Sequence, residues 1–309
     1  MLRSPEDPSD SPEGTAEGRR RGRDRVSAHS PRPVPTPSER SELTRLDCEV
    51  SRLSKLNSDL LAELEETNRG VVALYSEEHQ LALTLQRTFL PETLPQVPGV
   101  QLAVRYLPAA SQTEIGGDFY EAVDTPAGLL LAVGDVMGHS LQAAVVMGEL
   151  RHALRAYAAE DHPPHILLER LDALLSRHRP GWTATVCIAL VEPGGSGLRI
   201  ANAGHPPPLL RTASGRTAYV HEHGPLLGLG LTQPESTHHR LTPGSSLLMV
   251  TDGLVEKRGT PMAEAMERLR RTTAAGPWDC EALCDTLLDT FGAHQRDDII
   301  VFAARLNPG

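Results

Sequence analysis

The sequence predicts an α+β fold in which one long coiled-coil-like helix leads into a single domain. Three patterns predict it. Strand-like runs come in groups of two or more ahead of each helix pair, which is α+β and not the alternation of a doubly wound sheet. Apolar residues recur alternately three and four apart from Leu43 to Leu85. The first forty residues carry almost no large apolar side chain.

Residues 1–40 hold seven prolines, and eight arginines there face seven acids. Such a segment cannot bury enough surface to offset its chain entropy, so a disordered tail is expected, with the basic run Arg19–Arg25 solvated. Residues 41–90 then read as a helical linker. Leu43, Leu46, Val50, Leu53, Asn57, Leu60 and Leu64 open about six heptads. Asn57 falls at an a position, where a buried Asn fixes register and favours a parallel pair, so a homodimer through residues 41–90 is expected. Packing of the same face on its own domain is the alternative. Gly70, Thr67 and Glu78 weaken the seam in its second half.

Pro91, Pro95, Pro98 and Gly99 end the helix, and residues 91–309 read as one domain. Its strand-like runs are 100–107, 119–123, 128–136, 183–191, 197–203, 247–251 and 298–306. Its helix-like runs are 141–159, 166–177, 262–273 and 281–291.

Composition narrows the function. Among 309 residues the net charge is −10, which speaks against nucleic acid as the main ligand. No window of 18 apolar residues exists, so no membrane helix is expected. The N-terminus lacks the apolar stretch of a signal peptide, and four scattered cysteines make no disulfide framework. A reduced, cytoplasmic protein follows as the expectation. Cys280 and Cys284, four apart on a helix, read as packing.

The informative residues are acids at strand edges. Asp118 lies in Gly116-Gly-Asp-Phe-Tyr120, Asp135 in Gly134-Asp-Val-Met-Gly-His139, Asp252 in Thr251-Asp-Gly253, and Asp297-Asp298 precede Ile299-Ile-Val-Phe302. A carboxylate at a strand end is rigidly held, and several on one rim repel unless cations neutralise them. Mg²⁺ or Mn²⁺ suits such an oxygen-donor set, and two ions can acidify a shared water and aim it at phosphorus. Singly, each motif is an ordinary turn; the set in this order is specific. His221, His223, His238 and His239 sit in a polar stretch between strands without ligand spacing and read as surface loop.

These motifs, with Ala203-Gly-His-Pro-Pro-Pro208 and Thr251-Asp-Gly-Leu-Val-Glu256, resemble the SpoIIE/RsbU-type phosphatases of the PPM superfamily of metal-dependent serine/threonine protein phosphatases. The likeness spans roughly residues 85–306 and implies an α-β-β-α sandwich with two Mn²⁺ or Mg²⁺ ions at one end. It implies that Asp135 bridges both ions, that the Val136 carbonyl completes one site, that Asp252 and Asp297 hold the other, and that Asp118 reaches the metals directly or through water. A water nucleophile would then displace the phosphoryl group in line, with no phosphoenzyme. The implied substrate is a phosphorylated anti-anti-sigma (STAS) protein in bacterial signalling, with control exerted through the helix that enters the domain. The sequence departs from the family at Ser140, where Gly is frequent, and at Glu121, where Asp is common. It gives His205 a structural loop role and leaves His139 open between proton transfer and a turn. A silent pseudophosphatase scaffold and a different two-metal phosphoesterase remain the rival readings.

Overall fold

The computed structural model describes residues 36–91, 93–108, 116–195, 197–256, 259–292 and 297–307. The expected disordered tail therefore lies outside the described residues as far as 35. The chain divides into two units, Met1–Glu65 and Glu66–Gly309, with the division falling inside the first helix.

That helix, α1, runs Pro37–Phe89, four residues earlier than the linker boundary expected at 41. Its start is a capping box. The Glu39 carboxylate accepts from the Thr36 backbone N–H at 2.7 Å, and Thr36 Oγ1 accepts from the Glu39 N–H at 3.4 Å. Pro37 sits at the first helical position, where its missing N–H costs nothing. At 1.5 Å per residue, 53 residues make a rod of about 80 Å. Every described residue from 36 to 77 is exposed, the leucine seam included.

The second unit stacks two five-stranded sheets between two helix pairs. One sheet runs β1-β10-β9-β6-β7: Val100–Leu107, Ile299–Leu306, Ser246–Val250, Leu209–Arg211 and Thr217–Tyr219. The other runs β2-β3-β4-β5-β8: Asp118–Thr125, Gly128–Val136, Ala184–Val191, Gly197–Ala203 and Thr237–Arg240. All pairings are antiparallel. Helices α2 (Leu141–Ala158) and α3 (Pro164–His178) cover the second sheet, while α4 (Met262–Ala275) and α5 (Cys280–Phe291) cover the first. The expected α-β-β-α sandwich is the observed one.

Alternation along β10 shows how the layers form. Ile300, Phe302, Ala304 and Leu306 enter the core between the sheets, and Ile299, Val301 and Ala303 pack beneath α4 and α5. In β3 the whole run Leu129–Val133 is buried, because inter-sheet core lies on one face and α2 on the other. Ala143, Val146, Met147, Leu150 and Leu154 form the stripe that α2 presents to this core. Ser140 caps α2, its Oγ accepting from the Ala143 N–H at 3.2 Å. Cys280 and Cys284 are buried, and burial pushes both thiols up to about 12. His238 and His239 belong to β8, not to a loop: β8 is a short edge strand whose polar residues face solvent on one side.

Candidate metal centre

The acids gather where the two sheets end together. Asp118 opens β2 and pairs in register with Asp135 on β3, so the two carboxylates project from directly opposed positions about 5 Å apart at Cα. From the other sheet, β9 leads into a single 3-10 turn, Asp252–Leu254, and Asp297 and Asp298 precede β10. Antiparallel pairing of β9 with β10 brings these last two segments side by side. Thr251, fully buried, ties them: its N–H donates to the Ile300 carbonyl at 3.2 Å and its Oγ1 accepts from the Ile300 N–H at 2.9 Å. The same hydroxyl donates to the Asp298 carbonyl at 3.5 Å, which ties the turn to the residue before β10.

Glycines let the backbone close in. A Cβ on Gly117 would run into the Val136 carbonyl and stand 3.0 Å from Asp135 Oδ1. One on Gly116 would collide with the Asp298 carboxylate, and one on Gly253 with the Asp298 carbonyl. The motif glycines thus clear space around the Val136 carbonyl and the four acids.

Electrostatically the group is under stress. Burial above all, then Asp135, Asp298 and Asp252, holds the Asp118 carboxyl well above the usual carboxylate range, with Thr251 partly offsetting. Asp135 is pushed up to about 7, first by burial and then by Asp252 and Asp297. Asp252 is raised by burial and by Asp297 and Glu256. Asp118 Oδ2 is buried without a hydrogen-bond partner. A buried, unpartnered carboxylate oxygen among mutually repelling acids is the donor chemistry of a hard divalent cation. Among the described residues no three His, Cys, Asp or Glu side chains already close a cage around one ion. Mg²⁺, which is held by one or two carboxylates and keeps several waters, fits the oxygen donors present.

Asp297 and Asp298 divide their surroundings. Asp297 is exposed and acts on Asp252 and Asp135; Asp298 is buried, acts on Asp118, and accepts from the Tyr106 hydroxyl. The family resemblance implies a ligand role for Asp297 and none for Asp298. The signal for Asp298 was its place next to an alternating strand, where adjacent residues point to opposite sides. Tyr106 lies in no motif, and Thr251 stands in one only as the residue before Asp252.

The remaining motif residues are also placed. His139 is exposed, beyond Gly138 at φ +110°. His205 is buried: its N–H donates to Asn202 Oδ1 at 2.8 Å, and its Nδ1 lies 2.8 Å from Thr185 Oγ1. Thr185 is the register partner of Asp135. Burial drives the His205 pKa down to about 3, the Val250 carbonyl opposing, so the ring stays neutral. Glu121, the departure from the family pattern, is fully buried on β2 in an ion pair with Arg151 of α2 at 3.0 Å. Arg151 also donates to the Phe89 carbonyl at the end of α1.

The two-sheet sandwich is shared with solved PP2C phosphatase domains. One such domain with a regulatory fragment, from Bacillus subtilis SpoIIE, superposes with a TM-score of 0.57 at 18% identity, covering 69% of this chain and 64% of that one.

 The RsbU and RsbW domains of a Mycobacterium tuberculosis protein superpose with a TM-score of 0.63 at 34% identity, over 72% of this chain and 64% of theirs. The phosphoserine phosphatase RsbU of Bacillus subtilis is 24% identical over 197 residues, 62% of this chain and 58% of that protein. The family model for Stage II sporulation protein E (SpoIIE) matches residues 125–307, and the chain belongs to the SpoIIE family. It spans about half the length of the curated relatives it matches. No described helix is long and apolar enough to cross a membrane.

Proposed function

We propose that the chain is a metal-dependent protein phosphatase that removes phosphate from phosphoserine or phosphothreonine on a regulatory protein of bacterial signalling, an anti-anti-sigma (STAS) protein by the family likeness, in the cytoplasm. The observation that carries this is the convergence of Asp118, Asp135, Asp252 and Asp297 from both sheets, three of them with pKa values raised by burial and by neighbouring acids. Two Mn²⁺ or Mg²⁺ ions, when bound, would neutralise the phosphoryl group and acidify a water. Asp135, central among the acids, would be shared by both ions, with the Val136 carbonyl beside it. Asp252 and Asp297 would hold one ion from the opposite sheet, and Asp118 would orient the set from its buried position. Thr251 and Asp298 would keep the two sheet ends in register.

The test is Mn²⁺-dependent phosphate release from a phosphoserine protein. Asp135→Asn and Asp252→Asn should each lower kcat/KM by about a hundredfold or more, in line with the loss of transition-state charge stabilisation. Retention of parental activity in either variant would remove that residue from the centre. Absence of both activity and metal binding in the parent would leave a scaffold.

In the same proposal, residues 41–90 pair with a second copy and the phosphatase domain occupies 91–309. The exposed seam Leu46, Leu53 and Leu60, 53–57% accessible, supports this, because such a stripe gains by burial against a partner. The last turn of α1 then has a route to the centre. The Phe89 carbonyl holds Arg151, Arg151 pairs with Glu121, and Glu121 stands three residues from Asp118 on β2.

A further inference from the structure

We propose that Leu229 and Leu231, with Met137, form an apolar docking lip for the residues that flank the phosphoserine of a protein substrate. The proposal rests on the phosphatase reading and adds how the substrate chain is read.

The three side chains are 50%, 53% and 63% exposed, while Leu227, two residues before, is fully buried. The loop that displays the leucines is fixed from several sides. Leu227 and Ala184 exchange both backbone hydrogen bonds, at 2.9 and 3.2 Å. Asp172 of α3, itself buried, accepts from the Gly228 N–H at 2.7 Å and the Gly230 N–H at 3.3 Å through one carboxylate oxygen. Gly228 and Gly230 have φ of +92° and +66°, conformations that side chains resist, and a Cβ on Gly228 would collide with the Trp182 carbonyl. A buried carboxylate thus fixes the loop with both leucines exposed in a defined geometry.

Position connects the lip to the acids. Val136, next to Asp135, pairs with Ala184 on β4, and Ala184 bridges to Leu227. Two steps of about 4.8 Å put Leu227 roughly 10 Å from Val136. Met137 fills the interval: its N–H donates to the Thr183 carbonyl at 3.0 Å, and Thr183 Oγ1 lies 3.6 Å from its sulfur. An extended peptide covers about 3.3 Å per residue, so a phosphoserine at the acids brings its neighbours past Met137 and to the start of the leucine loop within about three to four residues. Leucines do nothing for a phosphate itself. The chain's net charge of −10 gives a negatively charged phosphopeptide no general attraction, so apolar contact at the leucines adds affinity that charge does not supply.

The experiment uses the full chain with Mn²⁺ and two phosphoserine peptides of equal length and charge. One carries Leu, Ile or Phe within four residues on either side; the other carries Gly, Ser or Asn there. The parent should favour the apolar peptide by about tenfold in kcat/KM, carried by KM. Leu229→Ser/Leu231→Ser should bring the ratio below about twofold; Leu231→Lys alone should do the same if the double variant does not fold. A parent that treats both peptides alike overturns the proposal, as does a variant that keeps the tenfold preference. Equal loss on both peptides and on p-nitrophenyl phosphate also overturns it, because the leucines would then serve the fold. A changed oligomeric state with an unchanged ratio would assign the lip to a second copy instead. Hydrolysis of p-nitrophenyl phosphate by the parent separates the two readings: its absence fells the phosphatase reading, and its presence without peptide preference fells only the lip.

Discussion

His205 shows how far a motif residue can lie from the reacting groups and still matter. Its ring is enclosed against Thr185, behind Asp135, and stays neutral with a pKa near 3. The free imidazole of an unfolded chain titrates near 6.5. Between these values the unfolded state binds the extra proton, so the contribution of His205 to stability is complete above about pH 6.5 and is lost as pH falls towards 3. One proton over 1.5 units corresponds to about 2 kcal/mol at pH 5 relative to pH 7. Urea denaturation should therefore show the parent losing about that much more between these two pH values than His205→Gln. Parallel losses in parent and variant would show that the ring titrates in the folded protein as it does in the open chain. The motif Asn202-Ala-Gly-His205 was visible in the sequence, but its role was not. A loop histidine becomes a buried one only through Thr185, which is distant in sequence and adjacent only through strand register. Asp298 was hidden in the same way, since its burial depends on Tyr106 and Gly116 coming together beside it.

At the scale of elements, periodicity carried most of the fold. The long strands and α2 to α5 appear within one to three residues of the sequence expectation, because each is long enough to repeat its pattern and carries a clear stop. The strands β6, β7 and β8, of three or four residues, were missed; so short a run holds one alternation at most, and pairing with neighbours defines it. The start of α1 was set too late because Pro37 was read as part of the tail, although Thr36-Pro-Ser-Glu39 is a capping signature. The heptads of α1 lead to a prediction of their own. Leu46→Gln, Leu53→Gln and Leu60→Gln together keep helix propensity while removing three seam residues. Light scattering should find the parent dimeric and the triple variant monomeric, with altered phosphate release if the α1–Arg151–Glu121 connection transmits the pairing. A triple variant that stays dimeric and equally active would dissociate the coil from both association and control.

For the molecule as a whole, the acids pose a problem of stability as well as of chemistry. The sheets are joined along their length by Phe119, Leu131, Met249 and Phe302 in one core, yet at one end they bring buried carboxylates together. Without cations that end opposes its own closure, and the raised pKa values of Asp118, Asp135 and Asp252 express that opposition. A divalent ion that binds the folded chain and not the unfolded one stabilises by mass action, by about 2.7 kcal/mol at a hundred times its dissociation constant. For a domain of this size each kcal/mol moves the midpoint by about 2–4 °C, so saturating Mn²⁺ should raise the melting temperature by roughly 5–10 °C. Calorimetry of the full chain, with and without Mn²⁺ and after excess EDTA, measures this without requiring turnover. The shift should reverse with EDTA and shrink to within about 2 °C in Asp135→Asn, because that residue stands between the carboxylates of both sheets. Asparagine there also removes a repelling charge, so the metal-free variant should melt no lower than the metal-free parent. An equal metal-induced shift in parent and variant would place the stabilising ion elsewhere, and the two sheet ends would then have to be held together by protonated acids alone.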